Sequence, residues 1–238
     1  MKSCIVSEFR SYIDLTDQEC ELVQSLERDP REFRKDEIIT AEGDPAKTIF
    51  TISSGWVASC RHLANGNRQI LDVYLPGQIV GMRKIGFEQS MNSIVAIGPV
   101  VACPYPKRNL IKTFDDSPRL TEVVMLMLAQ QQSLLVERIM SLGQRSADCS
   151  LAHFVLELRA RLKTSDLNLK TPLTQELIAD TLGVTSVHIS RTLTDLTQKS
   201  LLEWSAGTFK ILNLDALVEL AGFDPSYLEP DVNWIRDP

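Results

Sequence analysis

Positive charge is scarce in this chain: 25 lysines and arginines face 31 aspartates and glutamates among 238 residues, a formal net charge of -6. Coating nucleic acid without regard to sequence takes clustered positive charge, so the balance disfavours that class of function. Histidine is rarer still, with only His62, His153 and His188. They are scattered, and no G-x-S-x-G elbow, P-loop, H-E-x-x-H or paired metal-ligand spacing accompanies them, so neither catalysis nor a metal site is expected. The five cysteines are Cys4, Cys20, Cys60, Cys103 and Cys149. An odd number with no close pair suggests neither a disulfide framework nor a local zinc or iron-sulfur cassette, and reduced thiols are the expectation. No stretch approaches the roughly 20 apolar residues of a membrane span, and the first ten residues lack the apolar core of a signal peptide. A cytoplasmic protein without a membrane partner is expected.

What is present suits two globular domains, with 44% hydrophobic and 24% charged residues. After an acidic helical stretch from about Thr16 to Leu26, the chain from 37 to 104 is punctuated by Gly43, Gly55, Gly66, Gly77 and Gly81. Thr48 to Ile52, Trp56 to His62 and Arg68 to Tyr74 are strand-length, Asn65-Gly66 marks a hairpin, and Pro76-Gly77 marks a further turn. The pattern predicts a small antiparallel barrel or roll.

From Pro118 to about Gln144 the pattern predicts one long helix, opened by the breaker run Asp115-Asp116-Ser117-Pro118. It carries two apolar stripes, Val124, Leu128, Gln131, Leu135, Arg138, Leu142 and Leu120, Met127, Leu134. One can lie on the roll and the other on a second copy of the chain. Gly143 to Ser146 reads as a hinge, with Ser146 and Asp148 placed to cap a helix running to Leu162.

Residues 173 to 196, LTQELIADTLGVTSVHISRTLTDL, then read as helix, short turn and helix. Leu177, Ile178, Leu182, Ile189, Leu193 and Leu196 recur at helical spacing, and Gly183 sits where a left-handed backbone is easiest. Thr174 and Thr185 are placed as caps, and Leu173/Ile178 and Val184/Ile189 fit the hydrophobic-staple spacing. Small Ala179 lets the helices approach closely, and the second helix keeps a polar outer face, the pattern of a DNA-binding helix-turn-helix. Leu201 to Leu212, centred on Gly207, reads as a two-stranded wing, and the tail with Pro225, Pro230 and Pro238 as irregular. The layout is α+β. It divides into an antiparallel, jelly-roll-like β-roll sensor domain (1–116), a dimerisation helix (117–145), a winged helix-turn-helix domain (146–222) and a tail (223–238).

With LPGQIVG at 75 to 81 and LTQELIADTLGVTSVHISRTL at 173 to 193, this order resembles the Crp/Fnr family of bacterial transcription regulators over roughly residues 15 to 222. The resemblance implies a homodimer whose roll senses a signal, with recognition helices in successive major grooves of a palindromic site, and RNA polymerase as a partner. It also implies an effector pocket around Gly81, Met82, Asn92 and Ser93. Cyclic-nucleotide-binding members carry a glutamate after the glycine equivalent to Gly81 and an arginine before a serine or threonine. Met82 and Asn92 stand there instead, so cyclic AMP is not expected; some other small effector, or none, takes its place. Arg83 and Lys84 are expected as solvated loop charges. Oxygen-sensing members hold an iron-sulfur cluster on closely spaced N-terminal cysteines, and Cys4 and Cys20, sixteen apart, do not meet that spacing. Haem on His62 or His153 is not expected either.

Carried over by position, the base-edge residues are Ser186, Val187, Ser190 and Arg191. Arg191 can grip guanine O6 and N7 together, or clamp a phosphate, and Val187 stands where many relatives have glutamate and can pack on a thymine methyl. Thr174, Thr185 and Lys210 are candidates for backbone positioning; His188 is either a phosphate contact or merely exposed. Arg191, Lys199 and Lys210 could form a narrow positive strip, although residues 146 to 222 net -2. Cys149, at the start of the helix after the hinge, is a candidate redox thiol, because a helix N-terminus can lower a thiol pKa; a small buried side chain is the plainer alternative. A rival reading is a ligand- or protein-interaction module whose winged helix docks a protein instead of DNA.

Overall fold

The computed structural model describes residues 3–27 and 29–235. The chain separates into two compact units. One takes in the chain up to His62, Asp72–Ala129 and the segment from Asp231 onward; the other takes in Leu63–Leu71 and Gln130–Pro230.

In the first unit, helices α1 (Cys4–Phe9) and α2 (Asp17–Gln24) precede the roll. Thr16 and Glu19 close a reciprocal capping box on α2, satisfying two backbone donors that a helix start otherwise leaves open. The roll's strands are β1 (Arg31–Phe33), β2 (Ile38–Thr40), β3 (Thr48–Ser54), β4 (Val57–His62), β5 (Arg68–Tyr74), β6 (Ile79–Val80), β7 (Ser93–Ala96) and β8 (Val100–Pro106), of which residues 68–71 of β5 are grouped with the second unit. They form two antiparallel sheets, ordered β1-β8-β3-β6 and β2-β7-β4-β5. Phe50, Ile52, Val57, Val80, Ile94 and Val100 are buried together, so both sheets contribute side chains to one core. Gly55 turns β3 into β4 at φ +78°, where an added Cβ would lie 2.2 Å from the Pro99 carbonyl oxygen; only glycine fits. Asn65-Gly66 makes the expected hairpin turn, Gly66 N donating to the Leu63 carbonyl at 2.9 Å.

Helix α3 (Lys107–Asp116) follows the roll, and Ser117 separates it from the 26-residue α4 (Pro118–Gly143). The Glu19 carboxylate accepts from Ser117 Oγ at 3.1 Å and Arg119 Nη1 at 2.8 Å, a buried tie between α2 and the start of α4. Leu120, Val123 and Val124 join Ile5, Phe9 and Val23 in a second core. Along α4 the outward residues are Met125, Ala129, Gln132, Val136, Ile139 and Gly143, at alternating spacings of four and three. That is the spacing of a coiled-coil seam, one residue along from the first of the two stripes read from the sequence. Of that first stripe, Val124 and Arg138 are buried, Arg138 because its guanidinium lies over the Phe154 ring and pairs with Glu157. Of the second expected stripe, Leu120 and Leu134 are buried.

The second unit contains α5 (Ala147–Arg161), β9 (Asn168–Lys170), α6 (Gln175–Leu182), α7 (Ser186–Gln198), β10 (Leu202–Ser205), β11 (Thr208–Ile211) and α8 (Leu214–Ala221). The wing has a third strand, in the order β10-β11-β9. Its core is formed by Leu151, Phe154, Val155 and Leu158 of α5 with Ile178, Ile189, Leu196, Phe209 and Leu217. The tail is not wholly irregular, since 3-10 turn Pro225–Leu228 brings Tyr227 to within 3.3 Å of Glu157 Oε2 as a hydrogen-bond donor.

At the hinge, Glu137 meets Arg145 Nη2 at 2.5 Å and His153 Nε2 at 3.2 Å, while Glu157 meets both Arg138 and Arg161 at 3.4 Å. Burial and, next, the Arg145 charge pull the His153 pKa down to about 4, against the opposing pull of Glu137. Unfolded, this imidazole binds a proton near pH 6.5; folded, it does so only at about 4. Its contribution to stability is therefore complete above pH 6.5 and lost as pH falls through that window, by on the order of 2 kcal/mol. Chemical denaturation at pH 7.5 and pH 5 should show a shallower loss in His153→Gln than in the parent; equal slopes would mean that His153 is not buried neutral.

Candidate nucleic-acid interface

The second helix of the turn motif is built to present one face. Thr185 accepts a hydrogen bond from His188 N at 3.2 Å, capping α7, and Thr174 does the same for α6 through Leu177 N at 3.2 Å. Gly183 takes φ +67°, the left-handed conformation that favours glycine, and an added Cβ would meet the end of the Leu142 side chain at 2.6 Å. Ile189, Leu193 and Leu196 are buried, leaving Ser186, Val187, His188, Ser190 and Arg191 exposed on the opposite side. Thr194, which the sequence reading passed over, shares that face, its hydroxyl turned back to the Ser190 carbonyl at 3.0 Å. Its spacing of four from Ser190 was the available signal.

The positive strip is narrower than expected. Arg191 has no hydrogen-bond or ion-pair partner among the described residues, but Lys210 Nζ lies 3.4 Å from Glu203 and Lys199 Nζ 3.5 Å from Asp148. Val187 is 60% exposed, a large apolar side chain with no core to join.

In the roll, the expected effector residues separate. Met82 turns into the core with Ile79 and Tyr105. Ser93 Oγ accepts from Glu42 N at 3.0 Å, and Asn92 Nδ2 donates to Ser59 Oγ at 2.7 Å. Only about 10 Å³ of space remains among Gly81, Arg83, Lys84, Ser90 and Asn92. Arg83 and Lys84 are not solvated loop charges: Lys84 is 4% exposed with Nζ 5.7 Å from the Phe50 ring centroid, and Arg83 Nη2 lies 3.7 Å from Asp72. Burial lowers the Lys84 pKa, with Asp44 acting in the opposite sense.

Nor does the cysteine set fit an iron-sulfur cluster, which takes four cysteine ligands. Cys20 Sγ accepts from Arg10 Nη2 at 3.2 Å, and no group of three or more metal-ligating side chains occurs among the described residues. Cys149 is half-buried, and burial raises its thiol pKa, with the Arg145 charge acting in the opposite sense.

Comparison with known proteins bears on these two surfaces. Residues 30–117 match the cyclic nucleotide-binding domain, and residues 150–220 the Crp-like helix-turn-helix domain. The chain belongs to the Crp/Fnr family. The nitrogen fixation regulation protein FixK of Bradyrhizobium diazoefficiens is 29% identical over 184 residues, covering 76% of this chain and 77% of that one. The fumarate and nitrate reduction regulatory protein of Escherichia coli is 25% identical, covering 93% and 90%. The solved structure of FixK2 from Bradyrhizobium japonicum superposes with a TM-score of 0.74 at 26% identity, covering 80% of this chain and 96% of that one. Membership makes this chain a Crp/Fnr-type DNA-binding transcription regulator. None of its described helices is long and apolar enough to cross a membrane.

Removing the α7 cap is a local test. Thr185→Ala should lower unfolding free energy by about 1 kcal/mol in urea titrations, with Thr185→Ser close to the parent. An alanine variant as stable as the parent would mean that water satisfies His188 N equally well.

Proposed function

We propose that the protein is a cytoplasmic homodimer that reads a palindromic DNA site without cyclic AMP and from there engages RNA polymerase, as the family resemblance implies. The observation carrying most weight is the outward face of α4: Met125, Val136 and Ile139 are 59%, 57% and 66% exposed, at heptad spacing along about 21 Å of helix. Two copies joined along that seam would offer two α7 helices to half-sites about 34 Å apart, one turn of DNA.

Independence from cyclic AMP is supported by the space in the roll. Ligand pockets commonly run to several hundred Å³, whereas about 10 Å³ holds one water. Opening it would require moving Lys84 off Phe50 and breaking the Asn92–Ser59 hydrogen bond.

On the reading face, we assign Arg191 to a guanine, with a phosphate clamp as its alternative role, and Val187 to a thymine methyl, with Ser186 and Ser190 as further base-edge contacts. Thr174, Thr185 and Lys210 position the phosphate backbone, although Lys210 must first loosen its hold on Glu203. His188, exposed in the first turn of α7, is placed among the phosphate contacts.

Selection from fragmented genomic DNA followed by footprinting tests the reading. A palindromic footprint unchanged by added cyclic AMP supports it, and binding without preference for any sequence rules it out. Arg191→Ala should relax specificity at one base pair per half-site, losing about 1–3 kcal/mol on the preferred sequence; equal loss on all sequences would make Arg191 a phosphate contact. Ile139→Glu should convert the dimer to a monomer in sedimentation velocity and abolish the two-fold footprint. A dimer that survives that substitution would place the interface elsewhere.

A further inference from the structure

A cleft of about 740 Å³ opens in the first unit, away from the small cavity beside Gly81, and two of the five cysteines line it. Cys4 begins α1, and Cys103 lies on β8, 99 positions later. Ser53, near the end of β3, joins them: Cys4 Sγ donates to the Ser53 carbonyl at 3.1 Å, and Cys103 Sγ lies 3.3 Å from Ser53 Oγ. The sulfurs thus sit on one residue, within each other's electrostatic reach. Cys103 is 2% exposed and also faces the Glu27 carbonyl at 3.4 Å; Cys4 is half-buried and nearer solvent. Of the remaining cysteines, Cys60 is buried on β4, Cys20 lies against Arg10, and Cys149 belongs to the other unit. Neither sulfur is used by the DNA-reading surface.

We propose that Cys4 and Cys103 are a dithiol that closes reversibly to an intramolecular disulfide under a peroxide-class oxidant. Cys4, the more accessible, reacts first: its sulfur attacks a peroxide oxygen, the O–O bond breaks, and with hydrogen peroxide one water leaves, giving a sulfenic acid. The Cys103 sulfur then attacks the Cys4 sulfur. The S–O bond breaks, and its oxygen departs as a second water, carrying the proton released by Cys103. Two thiols lose two electrons and two protons in total, and one peroxide is reduced to two waters. A small-molecule dithiol reverses the reaction by thiol–disulfide exchange. Burial raises the pKa of both thiols, with Glu27 adding its charge, so the pair is held protonated and reacts slowly rather than at each passing oxidant.

Closure would fasten α1 covalently to β8. Helix α1 buries Ile5 and Phe9 in the same core as Leu120, Val123 and Val124 of α4, so the bond would tether a segment packed on the root of the seam helix. Closing a loop of this length removes freedom mainly from the unfolded chain.

The full-length protein, reduced and then exposed to hydrogen peroxide under native conditions, is alkylated and mapped by peptide mass spectrometry. The expected product is one cross-linked pair of peptides containing positions 4 and 103, two hydrogens lighter, reopened by dithiothreitol and accompanied by a higher melting temperature. As a second measurement that needs no oxidation, phenylarsine oxide should bind one equivalent across the pair. That adduct should be lost in both Cys4→Ser and Cys103→Ser and retained in Cys20→Ser and Cys149→Ser. Because Cys103→Ser alters a buried strand, Cys4→Ser, at the chain's start, is the deciding variant, with circular dichroism as its folding control. Peroxide giving only singly oxidised Cys4, a bond between two chains, or a bond to another cysteine would overturn the proposal, as would arsenical binding that survives Cys4→Ser. None of these readouts depends on DNA binding.

Discussion

The geometry of the DNA-reading half depends on two carboxylates at the hinge. Glu137 projects from α4 to Arg145 and His153, and Glu157 from α5 accepts from Arg138, Arg161 and Tyr227. Removing one partner from a buried ion pair strands the other charge, typically at a cost of about 3–5 kcal/mol, and rolling α4 against α5 would break the buried Arg138–Glu157 pair together with the Glu137–His153 contact. Arg138 faces inward to Glu157, and Ile139, the next residue, faces outward at 66% exposure. One turn of helix therefore fixes both the internal clamp and the candidate seam. Because α5 also packs on α6, α7 and α8, the angle of the recognition helix is referred to that same turn.

A chain with a net charge of -6 cannot rely on long-range attraction to phosphates. Lys199 and Lys210 are both engaged with carboxylates, which trims the positive field further. What remains on α7 is one unengaged guanidinium, an exposed valine and small hydroxyls. Such a surface gains little from nonspecific contact, and on the proposed reading discrimination comes from base edges, where a bidentate arginine and a thymine methyl would each act at short range.

How much of this was legible in the sequence follows from the range of the interactions concerned. The caps Thr174 and Thr185, the turn at Gly183, the hairpin at Asn65-Gly66 and the break at Ser117-Pro118 are set within three or four residues, and each stands where its local pattern placed it. Helix α1, strand β9 and helix α8 are short elements held by distant partners; Ile5 and Phe9 owe their burial to a core completed more than a hundred residues later. The seam on α4 shows the limit most clearly. Its heptad spacing was readable, but a helix apolar on several faces does not announce which one is covered, and Arg138 looked like a break in a stripe until Glu157 and Phe154 gave it partners. At the candidate DNA contacts the residue types were readable and the pairing of Lys210 with Glu203 was not, because that pair crosses a strand.

The roll carries the deepest departure from expectation. Lys84 and Arg83, taken from sequence as loop charges, are folded into the place where the family's ligand would lie. Burying a cation is costly unless something compensates, and here the Phe50 ring, Asp72 and Asp44 do so. With Ser90 and Asn92, these side chains leave little open space in that cavity. If that pocket is silent, a signal acting on α4 has to enter where α4 is otherwise held. Its first turns are held by Glu19 through Arg119 and by Ile5 and Phe9 of α1. Chemistry at the head of α1 therefore has a packed path, through Ile5 and Phe9, to the start of α4.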